Sequence, residues 1–208
     1  MSYSLLRSNR NYWLILSGSV MANLGDGVAA VAMPWLATLL TRDPLMIAAV
    51  AMAGRLPWFL FALPAGVWTD RADRRLLMVR ADGVRMALNL CIVAMILSIP
   101  ASPIAAGTEM GLVATLAAIA FLLGTAEVVR DNAAQTILPS IVARDDLERA
   151  NGQMWSSEQV MGQFVGPPLA GALIAGGMVV PFGFNATALA LSIGIVWLIT
   201  LPVRRPTE

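Results

Sequence analysis

Long apolar stretches broken by short polar turns dominate the chain. Runs of about 20 apolar residues, enough to cross the roughly 30 Å hydrocarbon core of a bilayer, fall near residues 12–40, 45–68, 76–100, 110–138, 151–176 and 182–201. Nowhere does the pattern alternate with period two over successive short segments, as the strands of a membrane barrel would. The expected fold is therefore an all-α membrane protein. One bundle of six transmembrane helices occupies residues 1–201, and 202–208 begin a polar, cytoplasmic linker. The first and fourth runs are long enough to cross at a tilt. A cleaved leader does not fit the first run, which is too long and is followed by five like it.

The basic residues give these segments an orientation. Arg7 and Arg10 precede the first run, Arg71, Arg74 and Arg75 stand between the second and third, Arg144 and Arg149 between the fourth and fifth, and Arg204 and Arg205 follow the sixth. The alternate loops hold only Arg42. Positive charge marks the cytoplasmic side, so both termini are expected in the cytosol of a multi-pass plasma-membrane protein.

Composition then excludes most other functions. Of 208 residues, 58% are hydrophobic and 13% charged, against about 45–50% and about 25% in a soluble domain. Fourteen basic residues, all arginine, meet thirteen acidic ones for a net charge of +1, which gives no basic surface for nucleic acid. Histidine is absent and Cys91 is the single cysteine, so neither a metal site nor a disulfide is expected. No Ser–His pair or paired aspartyl motif suggests an enzyme.

Between the second and third runs stands Gly66-Val67-Trp68-Thr69-Asp70-Arg71-Ala72-Asp73-Arg74-Arg75. This resembles the G-x-x-x-D-R-x-G-R-R loop of the major facilitator superfamily, at the same place in the order of helices. Asp73 replaces the second glycine, as is common in the branch of macrolide-efflux proteins and enterobactin exporters. On physical grounds Gly66 permits close approach of another helix. Asp70 and Arg74 can pair if the turn between them is helical. By resemblance, Gly66, Asp70, Arg71, Arg74 and Arg75 form a cytoplasmic gate loop joined by Asp131 across a charge network. The stretch from Arg130 to Pro139, followed by Ala150-Asn151, is similar to the connection between helices 4 and 5 of that branch. The superfamily's buried-arginine motif of helix 4 is not matched cleanly, so the resemblance assigns Arg130 no coupling role. In the fifth run, Gly162, Gly166, Pro167 and Gly171 match the superfamily's antiporter motif, while Gln153 and Ala170 stand where it has glycine. Gly162 and Gly166 also make a small-xxx-small face, and Pro167 kinks the helix.

Charges inside spanning helices cost about 2.5–3.5 kcal/mol each at the bilayer centre, so they mark function by default. At about 1.5 Å per residue, Asp26 and Arg55 lie near mid-membrane on consecutive helices. They are expected to pair, with the balance between desolvation and the arginine's field deciding whether Asp26 exchanges a proton. Asp26, Arg55 and Glu127 are the first candidates for coupling and substrate contact. Glu158 follows, and Asp82 and Arg85, three apart, form a local pair. Trp13, Trp35 and Trp58 suit either a cavity wall or the membrane interface, with Trp13 better placed at the interface.

The resemblance implies the N-terminal six-helix half of a major facilitator fold, exporting a drug- or siderophore-like small molecule by alternating access. It implies no cofactor, with the proton gradient as driving force. The expected partners are the lipid bilayer, the transported molecule, and a second six-helix half. That half is either the missing C-terminal part or another copy in a homodimer. A non-transporting membrane scaffold is the alternative.

Overall fold

The computed structural model describes residues 4–99 and 108–200; the linker expected at 202–208 lies outside them. A short α1 (Ser4–Ser8) leads into α2 (Arg10–Leu40), α3 (Pro44–Arg71), α4 (Arg74–Ser98) and α5 (Thr108–Ile137). Two 3-10 turns, Leu138–Ser140 and Arg144–Asp146, carry the chain to α6 (Leu147–Glu158). A π-helical segment, Gln159–Val165, joins α6 to α7 (Gly166–Ala175), and α8 (Val179–Trp197) closes the bundle.

Among the described residues, five helices are long and apolar enough to cross a bilayer: α2, α3 up to Gly66, α4, α5 with its 3-10 extension, and α8. The fifth predicted run is built differently. It is a rod of α6, the π segment and α7 end to end, and neither α-helical piece is of spanning length. The predicted ends shift by a few residues, α2 beginning at Arg10 and α8 ending at Trp197.

Local chemistry fixes several of these ends. Asn9 caps α2 by accepting from the Tyr12 amide at 3.0 Å, and Asp43, followed by Pro44, caps α3 by accepting from the Leu45 amide at 2.9 Å. Asp73, the residue that departs from the superfamily loop, caps α4 by accepting from the Leu76 amide at 3.1 Å. A carboxylate there satisfies an orphan N–H and faces the positive end of the helix dipole. Because Ala72 and Asp73 are extended, the turn between Asp70 and Arg74 is not helical. The i, i+4 geometry expected of that pair is therefore broken, and the side chains of Asp70 and Arg71 lie outside the described ones.

In packing, α2 lies against α8 and against the rod of α6, π segment and α7, while α3 packs on α5, and α4 on both α5 and α8. Two apolar clusters occupy opposite ends. At the arginine-bearing end, Tyr12, Ile15, Met78, Ile137, Leu138 and Ile199 are buried together. At the other, Leu36, Val50, Ile92, Leu116 and Phe182 form the second cluster. Outward-facing Phe59 and Leu63 are 86% and 88% exposed, a surface suited to lipid rather than water. Between the two clusters lies a polar waist.

Candidate functional site

Four helices bring polar residues to the waist at helical spacing, so that they share a face. Ser19, Asn23 and Asp26 come from α2, Asp82, Arg85 and Asn89 from α4, Glu127, Arg130 and Asp131 from α5, and Asn185 and Ser192 from α8. Arg85 and Arg130 are among the largest fully buried side chains in the protein. A guanidinium so placed requires counter-charge within reach.

Asp82, fully buried, supplies it to both. Its Oδ1 accepts from Arg85 Nη1 at 3.2 Å and lies 3.7 Å from Arg130 Nε, while its Oδ2 accepts from the Ser192 hydroxyl at 2.8 Å. Arg85 also forms an ion pair with Asp26 through Nη2. Arg130 reaches Asp131 at 3.1 Å through Nη1 and donates to the Ser19 hydroxyl at 3.1 Å through Nη2. A chain of charges thus runs Asp26–Arg85–Asp82–Arg130–Asp131 through three helices. Asn89 Nδ2 donates to the Arg85 carbonyl at 2.9 Å, and Asn185 Nδ2 donates to Asn89 Oδ1 at 3.3 Å, tying α8 to the same network.

The expected partner of Asp26 is corrected here. No ion pair joins it to Arg55; its partner is Arg85, although Arg55 and Asp26 line the same cavity. Depth alone put Arg55 opposite, but α3 packs chiefly on α5 and presents Arg55 to the cavity as an exposed side chain. The local pair of Asp82 and Arg85 is present as expected.

The cavity has a volume of about 490 Å³. Asp26, Arg55, Trp58, Glu127, Asp131 and Glu158 all contribute to its wall. Below it, toward the arginine-bearing end, a second pocket of about 220 Å³ shares Asn23, Asp131 and Glu158 with the first and adds Gln135, Asn151 and Trp155. Trp13 and Trp35 are instead half-exposed on the outer surface.

One wall of the cavity depends on missing side chains. A Cβ on Gly27 would come within 2.5 Å of the Gly162 carbonyl oxygen, and one on Gly166 within 2.5 Å of the Gly27 Cα. The π segment and α2 therefore cross backbone to backbone, as the small-residue face of Gly162 and Gly166 predicts. Pro167 opens α7 just beyond the π turns, the place where an irregular helix is expected. Gly66 and Gly171, by contrast, face open space; the close approach expected at Gly66 is not made among the described residues. Gln153, in place of a motif glycine, accepts a 2.6 Å hydrogen bond from the buried Tyr12 hydroxyl and locks α6 to α2. Arg75 lies over the Trp197 ring at 5.1 Å and donates to the Ile199 carbonyl at 2.6 Å, clamping α4 to the end of α8.

Sequence reasoning missed Arg130, Asn89, Asn185 and Ser192 as members of the site. The signal was present in polar residues recurring at three, four or seven positions within otherwise apolar helices.

Among proteins of known kind, the chain is similar to the multidrug efflux pump Tap of Mycolicibacterium fortuitum, 31% identical over 188 residues. That match covers 86% of this chain and 44% of the relative. The pumps of the same name from Mycobacterium tuberculosis (strain ATCC 25618 / H37Rv) and Mycobacterium bovis (strain ATCC BAA-935 / AF2122/97) are each 33% identical over 196 residues, covering 89% of this chain and 43% of the relative. The chain thus spans a little under half the length of these relatives. The family model described as transmembrane secretion effector matches residues 2–206. On a match that long, with the apolar helices and signature loop in place, this multi-pass membrane protein belongs to the transmembrane secretion effector family within the major facilitator superfamily.

Proposed function

We propose that the chain forms one half of a proton-coupled efflux transporter, with six spanning helices in the plasma membrane and both termini in the cytosol. On this reading a second six-helix half, related by an axis along the membrane normal, completes the cavity, and the two rock about it. The relatives' names support export of small molecules, and their length, a little over twice the matched stretch, supports a second half of similar size.

One observation carries the reading. Asp26 stands on the cavity wall, its side chain 25% exposed, and is at the same time the end of the buried charge chain. A proton gained or lost there changes the charge facing the cargo. The same event releases or recaptures Arg85, whose other partner, Asp82, also holds Arg130 and Ser192. Occupancy of the cavity and the packing of α4, α5 and α8 are thereby linked through a single carboxyl. Gly66, Asp70, Arg71 and Arg74 act on this reading as a cytoplasmic latch against the second half, with no cofactor and the proton gradient as the driving force. Gly162, Gly166 and Pro167 provide the point about which the fifth rod bends against α2.

The test is Asp26→Asn in everted vesicles from cells making the full transporter, with dye efflux driven by an imposed pH gradient. Efflux is expected to vanish at unchanged membrane abundance. Gradient-driven efflux retained by the variant removes Asp26 from the mechanism.

A further inference from the structure

The smaller pocket, about 220 Å³ between α2, α5 and α6, is lined differently from the cavity above it. Asn23, Gln135 and Asn151 bring three carboxamides to it, Trp155 an indole and Glu158 a carboxylate. Among the described residues, none of these five side chains is engaged in a hydrogen bond. For Asn23 that state needs explaining, because the residue is only 8% exposed. A buried carboxamide has two N–H donors and an acceptor, which ordinarily find partners.

The pocket's one guanidinium is already engaged. Arg130, 1% exposed, donates through Nη1 to Asp131 and through Nη2 to the Ser19 hydroxyl, while its Nε lies 3.7 Å from Asp82. What remains open to a ligand is mainly uncharged: amide groups that donate and accept, beside the largely exposed indole of Trp155. A hydroxyl also donates and accepts, and the C–H face of a sugar ring packs on an aromatic face. Glu158 adds an acceptor for hydroxyl groups. The space equals that of about seven waters at roughly 30 Å³ each. It is below the roughly 300–1,000 Å³ of a drug-sized site, and it suits one monosaccharide ring.

The two spaces share Asn23, Asp131 and Glu158, so one molecule can extend through both. In the larger, Met33, Trp58 and Leu123 offer apolar and aromatic surface to a flat body. We infer that the protein binds neutral glycosides in two parts, the sugar in the smaller pocket and an apolar aglycone in the larger. This rests on the efflux reading and names a class of cargo for it. The sugar is held by uncharged hydrogen bonds and by stacking, so its recognition is independent of charge on the cargo.

Umbelliferyl β-glucoside and umbelliferone methyl ether test this, since both are neutral, share one flat ring system and differ in the sugar. The measurement is equilibrium dialysis with the full transporter in lipid nanodiscs free of glycoside detergent, against empty nanodiscs. Saturable binding of the glucoside is expected, at least tenfold tighter than that of the more apolar ether. Gln135→Ala and Asn151→Ala are each expected to weaken glucoside binding about fivefold, the effect of one uncharged hydrogen bond. Trp155→Ala is expected to abolish the preference for the glucoside and Trp155→Phe to retain most of it. Ether binding is expected to be unchanged in all four variants, which shows that each is folded. Absence of saturable glucoside binding, equal affinity for the two probes, or variants that weaken both alike overturns the inference. Sugar-dependent binding without gradient-driven export in everted vesicles leaves the inference standing and removes the efflux reading instead.

Discussion

At the scale of single residues, the waist depends on Asp82 more than on any group facing the cavity. Its two oxygens serve Arg85, Arg130 and Ser192 at once, so neutralising it leaves two buried guanidinium groups short of a counter-charge. Breaking a buried pair by removing one partner costs about 3–5 kcal/mol. Asp82→Asn keeps the shape and removes the charge. It is expected to lower the thermal midpoint of the detergent-solubilised protein more than Asp26→Asn does, because Asp26 is partly exposed and Arg85 keeps Asp82 in its absence. The measurement is the fraction of monodisperse protein surviving heating. A midpoint unchanged by Asp82→Asn would show that Arg130 is neutralised by Asp131 alone. The sequence placed Asp26 near mid-membrane by depth and read Asp82 and Arg85 as a local pair at the cytoplasmic end of their helix, whereas Arg85 reaches Asp26. It did not show which faces met, and so Arg55 was matched to Asp26 in place of Arg85.

At the scale of elements, two helix crossings among the described residues bring a glycine against the backbone of its neighbour, and the sequence spacing marks only one of them. The antiporter-like spacing drew attention to Gly162 and Gly166, and these meet Gly27 of α2. The crossing of α3 and α5 uses Gly54 and Gly124, where a Cβ on Gly124 would run into the Gly54 carbonyl. An isolated glycine in an apolar helix carries no partner information, so that pair was invisible without coordinates. Gly27→Ala and Gly124→Ala place a methyl against backbone that cannot move cheaply, and each is expected to destabilise by about 1–3 kcal/mol. Gly171→Ala, facing open space inside α7, is expected to leave the thermal midpoint unchanged or slightly higher, since alanine favours helix by up to about 1 kcal/mol. If all three variants behaved alike, backbone contact would not be what holds α2 to the π segment. The π segment itself was not foreseen. The sequence shows Pro167, which spoils a regular helix, but not whether the chain answers with a kink or with a wider turn.

At the scale of the whole molecule, two apolar clusters enclose a layer of charge, and the outer surface is oil-facing. That arrangement leaves the sense of insertion open: α2 contributes to both clusters and to the waist, so a bundle inverted across the bilayer would still hold its charges at mid-membrane. The arginines provide that sense. Arg10, Arg74, Arg75, Arg144 and Arg149 gather beside the cluster of Tyr12 and Ile199, while among the described residues only Arg42 stands near the opposite cluster. Several of them are also structural: Arg75 clamps the end of α8. Topogenic and packing roles thus coincide, and reversing the bundle would carry these contacts to the far side along with their charge. Reporter fusions read the orientation. A phosphatase that works only outside the cytosol is expected to be inactive when fused after Ser8 or Glu208 and active when fused after Asp43, in the short turn between α2 and α3. Activity after Glu208 together with inactivity after Ser8 requires an odd number of crossings. That result would mean that the rod of α6, π segment and α7, too interrupted to rank as a single long helix, does not cross the membrane.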